Sequence, residues 1–309
     1  MEVGKGGKMC LLVSEKCALD SAALRRSSAA RAALRGQARS HILLQRAMAC
    51  WIWVVSLGAW RKTFEKLLFS HPLDREDLRM SDTAPCPARA LPDSFFDRDA
   101  QTVAKALLGK IIRHRQGDLW LSARIIETEA YYLTDKGSHA SLGYTEKRKA
   151  LFLDGGHIYM YYARGGDSIN FSAHGPGNAV LIKSAFPWQD ALSDANSLAQ
   201  MQLNNPDASG QLRPAERLCA GQTLLCKALG LKVPHWDAQR FDAERLYVED
   251  CGINPTHIIQ TTRLGIPHGR DEHLLYRFVD AEFARFCTRN PLRRGQVEGR
   301  DFFILQQGS

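Results

Sequence analysis

No two cysteines in this 309-residue chain are spaced as CxxC, and neither HExxH nor a Cys/His cluster at zinc spacing occurs. The eight cysteines, at positions 10, 17, 50, 86, 219, 226, 251 and 287, form no regular framework. That excludes a disulfide scaffold and leaves no metal motif; the expectation is reduced, mostly buried thiols in a cytosolic or nuclear protein. Internal repeats and low-complexity tracts are also missing, so solenoids and fibrous arrays are excluded. The longest mostly apolar stretch, residues 47–60, runs to about 14 residues, short of the roughly 20 that a membrane-spanning helix needs. A charge excess is absent from most of the chain as well. The formal net charge of +8 arises almost entirely from residues 1–79, which hold 14 Lys/Arg against 7 Asp/Glu, whereas residues 80–309 hold 27 against 26. Any surface for nucleic acid on the latter segment must therefore be a local basic patch.

Residues 23–46 are rich in Ala, Arg and Ser and contain no acidic residue. A secretory signal would lie nearer Met1 and would carry a cleavage site; an organelle transit segment is the alternative for such an Arg-rich tract. Met80-Ser-Asp-Thr-Ala-Pro leads directly into a well-patterned domain. The expectation is that Met80 is the natural start and that residues 1–79 are a non-native or mis-assigned extension, disordered or poorly packed.

From Leu91 onward the chain reads as ordered elements. Asp97 can cap a helix with Val103, Ala104, Leu107 and Leu108 on one face and Gly109 closing it. Strands are expected over 110–115, 119–132, 157–164, 168–174, 179–185, 245–250, 257–264 and 274–280, with a tight hairpin at Gly165-Gly166-Asp167. Residues 134–148 read as a loop and 190–210 as irregular or weakly helical. A firmer helix is expected over 214–229, with Pro in its first turn and Gly230 after it. Together these imply an α+β fold: one mixed domain with a mainly antiparallel, curved, open-barrel-like sheet and flanking helices.

The strand beginning at Leu119 carries the chemistry. Leu119, Leu121, Ala123 and Ile125 alternate with Trp120, Ser122 and Arg124, the period of a half-buried strand. Continued in phase, it points Glu127, Glu129 and Tyr131 inward with Leu121 and Ile125. A carboxylate carried into a dry region is costly unless it is paired or used. A salt-bridged core Glu is the plain reading, and a working carboxylate the chemical one.

Six blocks then occur in order: Glu127-Thr-Glu-Ala-Tyr131 with His139; Gly156-His-Ile-Tyr-Met-Tyr161; Asn170; Val180-Leu-Ile-Lys183; Leu218-Cys219 with Ala228-Leu-Gly230; and Arg263-Leu-Gly-Ile266. Over residues 91–303 the chain thus resembles the alkyladenine (3-methyladenine) DNA glycosylase family, which excises alkylated and deaminated purines. The resemblance implies a monofunctional glycosylase of base excision repair that flips the damaged purine out of the duplex and hydrolyses its N-glycosidic bond. It implies Glu129 as general base and Lys183, in place of a family Arg, holding the attacking water together with the backbone carbonyl of Leu264. Tyr131, His139 and Tyr161 would sandwich the base, and Asn170 would crowd the amino group of an unmodified guanine. The hairpin is one residue short against the family pattern, so the duplex-inserting residue is Tyr162 or Arg164.

The reaction so implied draws on no cofactor and no metal. The partner is double-stranded DNA containing damaged purines, with phosphate contacts from Lys147, Arg148 and Lys149 and from Arg293 and Arg294. No membrane is involved, a monomer is expected, and the location is cytoplasmic and nucleoid-associated in a bacterium or nuclear in a eukaryote. Two other readings fit parts of the pattern. One is a catalytically inactive nucleic-acid-binding module of the same fold. The other is a sugar glycosidase using Glu127 and Glu129, whose i, i+2 spacing of roughly 6.5–7 Å falls near the inverting range.

Overall fold

The computed structural model describes residues 90–306; what was expected of residues 1–79 lies outside them. Two short helices, α1 (Asp93–Phe96) and α2 (Ala100–Leu107), precede β1 (Ile111–Gln116) and the long β2 (Leu119–Tyr131). The Asp99 carboxylate, rather than that of Asp97, caps α2 by accepting from the Thr102 N–H at 3.1 Å. Then come the hairpin of β3 (Ile158–Ala163) and β4 (Gly166–Ser172), β5 (Ala179–Pro187), α3 (Ala195–Asn204), α4 (Ala215–Leu218), α5 (Gln222–Leu229) and α6 (Val233–Trp236). Strands β6 (Leu246–Glu249), β7 (His257–Thr261), β8 (Arg277–Asp280) and β9 (Phe302–Gln306) follow. Three 3-10 helices, Ala140–Leu142, Glu146–Phe152 and Ala281–Phe286, lie in the connections, the first two within or running on from the stretch 134–148 expected as a loop.

Every pairing between these strands is antiparallel. The sheet runs β3-β4-β5-β2-β8-β7-β9, and β1 joins β2 to β6. The sheet is open and flanked by helices, as expected. Strand β2 is long enough to pair with β1 through its first half and with β8 through its last third, which makes it the spine of the molecule. Helices α2, α3 and α5 cover one face. There Val103, Ala104 and Leu107 meet Leu121, Ala123, Ile125, Val180, Ile182, Leu225 and Leu229 in the main core. No helix among the described residues is long and apolar enough to cross a membrane.

Several sequence expectations are corrected. The helix expected over 214–229 is two helices, because the chain breaks at Cys219-Ala220-Gly221, where Gly221 adopts φ 141°. Residues 195–204 form a regular helix, initiated by the Asp194 carboxylate accepting from the N–H groups of Asn196 and Ser197. The hairpin turn lies one residue early. Ala163 pairs with Gly166, so Arg164 and Gly165 form a two-residue turn with φ of 50° and 81°. Positive φ at both central positions matches the twist of the flanking strands. Strand β9 was not expected at all.

The largest correction concerns the phase of β2. Ile125 pairs with Ala185, Glu127 with Ser184, and Thr128 with Ile182. One extra residue on β2 is therefore followed at once by one extra residue on β5, a pair of compensating bulges. Ile125 and Thr128 both face the main core, the latter donating its hydroxyl to the Ala104 carbonyl at 2.8 Å. Ile126 and Glu127 turn together to the opposite face, as do Lys183 and Ser184 on β5. Glu127, Glu129 and Tyr131 therefore point away from Leu121 and Ile125, onto the face that bears the cavity. Both glutamates are nonetheless fully buried.

Candidate active site

Glu129 lies where β2, β5, β8 and the loop after β7 converge. Tyr131, two residues on and on the same face, donates its hydroxyl to Glu129 Oε2 at 2.6 Å. The Leu264 N–H donates to Oε1 at 3.0 Å. Lys183 Nζ, brought round by the β5 bulge, lies 3.4 Å from Oε1. Burial by itself pushes the Glu129 carboxyl upward. The charge of Lys183, the hydrogen bonds from Tyr131 and Leu264 and the charge of Arg277 outweigh it, leaving Glu129 below its ordinary value and ionised. The Tyr131 phenol moves the other way: burial and the adjacent Glu129 carboxylate push it well above its usual range, so it stays a donor.

Tyr131, Lys183 and Leu264 line a cavity of about 740 Å³, and Glu129 sits fully shielded behind them. On another wall His139 meets Tyr161 edge-on with ring centroids 4.4 Å apart, and Tyr159 stacks on Tyr161 at 5.6 Å. The Tyr159 hydroxyl lies 3.0 Å from His139 Nδ1. Burial, aided by the charges of Arg148 and Arg270, pushes His139 below its ordinary value, so the ring is neutral near pH 7. The loop carrying His139 is held close by Gly137, where a Cβ would come within 3.0 Å of Ile266. Asn170 on β4 also lines the cavity and donates its amide to the Tyr159 carbonyl at 3.1 Å.

The structure thus gathers Glu129, Tyr131, His139, Tyr161, Asn170, Lys183 and Leu264 in one place. Tyr162 and Arg164 also line the cavity, Tyr162 being 61% exposed. The Arg164 guanidinium reaches toward the 264–266 loop, 3.6 Å from where a Gly265 side chain would begin. Of the basic residues expected to meet phosphate, Lys147, Lys149, Arg293 and Arg294 are exposed, whereas Arg148 is half-buried and donates to the Gly143 carbonyl. Sequence reasoning missed Tyr159, although its i, i+2 relation to Tyr161 on β3 was the signal. It also missed the Gly221–Leu224 segment, which borders the cavity because α5 begins there.

Glu127 has a different fate. Its carboxylate accepts from Arg277 Nε at 2.6 Å and from the Ser184 hydroxyl, and it is no part of the cavity wall. This corrects the two-carboxylate sugar glycosidase reading, because the second acid is spent on a structural ion pair. Among the described residues no group of three His, Cys, Asp or Glu side chains is placed to hold a metal ion.

A family model of methylpurine-DNA glycosylases matches residues 94–283. The chain is 80% identical over 220 residues to a protein of Pseudomonas savastanoi pv. phaseolicola, covering 71% of this chain and 99% of that protein. It is 75% identical over 218 residues to a protein of Pseudomonas aeruginosa, covering 71% and 91%. Identity falls to 30% over 180 residues with a protein of Anaeromyxobacter dehalogenans, covering 57% and 75%. All three are provisionally named 3-methyladenine DNA glycosylases.

Proposed function

Because the chain belongs to the methylpurine-DNA glycosylase family, we propose that it hydrolyses the N-glycosidic bond of alkylated and deaminated purines in double-stranded DNA, 3-methyladenine among them. One observation carries the reading: a completely buried carboxylate, Glu129, kept ionised behind an aromatic-walled cavity by the three groups that line its floor. A base inside a duplex cannot reach such a carboxylate, so the damaged nucleotide must leave the stack. Its purine lies between the Tyr131 ring and the wall of His139 and Tyr161. Flat aromatic walls are tolerant of purine identity, which suits a substrate range from methylated to deaminated bases. Asn170, fixed by its bond to Tyr159, stands where an exocyclic amino group of normal guanine would crowd it.

In the chemical step a water is held between Glu129, Lys183 and the Leu264 carbonyl. Glu129 takes one proton from that water as oxygen bonds to C1′. The C1′–N bond breaks, and its electron pair leaves with the purine. Alkylation or protonation of the purine makes it the better leaving group. Lys183 Nζ is engaged with the Glu129 carboxylate at 3.4 Å, which argues against its use for imine formation and strand cleavage by the protein itself. For the vacancy in the duplex, the turn geometry favours Arg164 over Tyr162: Arg164 stands at the hairpin tip, while Tyr162 is two residues back along β3. Such a plug would act by stacking and charge, with the phosphates gripped by Lys147, Lys149, Arg293 and Arg294.

The direct test incubates the protein with duplexes carrying one 3-methyladenine or one hypoxanthine. Base release is expected from both, with strand breaks appearing only after alkali; breaks without alkali would overturn the monofunctional reading, and a folded protein that binds DNA yet releases nothing would favour the inactive binding module. The hairpin assignment has its own test. Arg164→Ala is expected to weaken lesion-duplex binding about tenfold or more with a shallower salt dependence, and Tyr162→Ala less than threefold, on the scale of one stacking contact. The reverse order would assign the plug to Tyr162.

A further inference from the structure

We propose that Arg263 is a positioning residue for the glycosylase step, holding Glu129 and Tyr131 in working geometry from behind the cavity wall. The inference rests on the glycosylase reading above and gives a role to a residue that touches no part of the cavity.

The Arg263 guanidinium stands 4.6 Å from the centroid of the Tyr131 ring and 5.3 Å from that of Tyr276. Its side chain is entirely buried. Nη1 donates to the carbonyl of Ala130, the residue between Glu129 and Tyr131, at 3.1 Å and to Asp135 Oδ2 at 2.8 Å. Nε and Nη2 have no hydrogen-bond partner, so the aromatic faces are what these two groups meet. A guanidinium buried without full pairing is expensive, and a cation over an aromatic face regains part of that cost. The next residue, Leu264, supplies the N–H on Glu129 Oε1. Arg263 therefore governs two of the three partners of Glu129: the Tyr131 hydroxyl through the ring it stacks on, and the Leu264 N–H through the chain itself.

Lysine cannot reproduce this arrangement. It lacks the plane that lies against both rings while bonding the Ala130 carbonyl and Asp135 together. A cation behind the Tyr131 ring also withdraws electron density from the phenol, which strengthens its hydroxyl as a donor to Glu129. Other charged and titratable groups act on Glu129 too: Tyr131 from β2, Lys183 from β5 and Arg277 from β8, the last itself paired with Glu127. Arg263 is thus one of several influences on its ionisation, and the one that acts through geometry.

The test compares the full chain with Arg263→Met and Arg263→Lys, measuring single-turnover base release against pH and binding to the same lesion duplex. Thermal unfolding reports whether each variant folds. For Arg263→Met the expected result is a single-turnover rate at least about tenfold lower at pH 7, with lesion binding changed less than threefold. Its acid limb moves to higher pH by about half a unit or more, because Glu129 loses well-placed donors. Arg263→Lys should fall between, and it carries the test should the Met variant not fold. A folded variant with wild-type rate and acid limb overturns the proposal. So does one whose rate and binding fall together while the acid limb stays put, since that marks a structural role only. A wild-type protein that releases no purine at any pH overturns the glycosylase reading itself, and the positioning role of Arg263 falls with it.

Discussion

Glu129→Gln is expected to lower single-turnover base release by about 10²- to 10⁴-fold, the usual contribution of a positioned general base, while leaving lesion binding within a few-fold of wild type. Glutamine keeps the shape and both oxygen-side contacts can be partly retained: its carbonyl can accept from the Tyr131 hydroxyl or from the Leu264 N–H. It cannot accept a proton from water. Binding depends on the aromatic walls and on phosphate contacts; of these groups Tyr131 alone bonds to Glu129, and its ring stays backed by the Arg263 guanidinium when the carboxylate becomes an amide. A variant that released base at close to the wild-type rate would show that another group accepts the proton, and would remove the observation on which the proposed function stands. The pH dependence of the wild type follows from the same carboxylate. Its folded value is depressed, so the base form prevails above that value and is lost only as pH falls through it. Excision governed by Glu129 should therefore persist at pH values where an ordinary glutamate is already partly protonated. An acid limb at or above the ordinary carboxylate value would contradict the ion pair and hydrogen bonds that surround it.

How far the site was legible in the chain depends on what kind of information each residue carries. Glu129, Tyr131, His139, Tyr161, Asn170 and Lys183 declare themselves by type, because carboxylates, amides and lysines in strand-like stretches are costly unless used, and their order along the chain repeats a family pattern. The antiparallel, helix-flanked sheet was legible from strand periods and turn residues. The bulges were not. Ile125-Ile126 reads as an uninterrupted apolar stretch, and nothing in its residue types says that the backbone there inserts an extra residue. A strict period-2 reading consequently assigned Glu127, Glu129 and Tyr131 to the wrong face while correctly marking the two glutamates as buried. Arg263 was invisible in the proposed positioning role for a related reason: its partners are the Tyr131 ring and Ala130 carbonyl of β2, the Asp135 carboxylate and the Tyr276 ring, and only the fold brings them together. The break at Gly221 was masked by good helix formers on both sides of it.

Glu127 sits two residues before Glu129 on the same strand and face, and the two should respond oppositely to substitution. Glu127→Ala is expected to reduce stability by about 3–5 kcal/mol, because it leaves the Arg277 guanidinium buried without its counter-ion. That is a large part of the roughly 5–15 kcal/mol by which a domain is stable. Arg277 is only 2% exposed and holds Glu127 Oε1 through Nε and the Arg289 carbonyl through Nη2. With the carboxylate gone, Nε faces a site that water does not reach, and the Ser184 hydroxyl loses the stronger of its two acceptors, keeping that of Thr288. Urea unfolding of the variant would read the loss directly, and a change below about 1 kcal/mol would show the pair to be dispensable. Replacing both partners by Met should recover most of the loss, since two apolar side chains of similar length can fill the space with no charge left to compensate. Such a double variant keeps Glu129, Lys183 and the aromatic walls, so base release should return with the fold. If stability returned while base release did not, the Arg277 charge beside Glu129 would be contributing to the chemistry as well as to the structure.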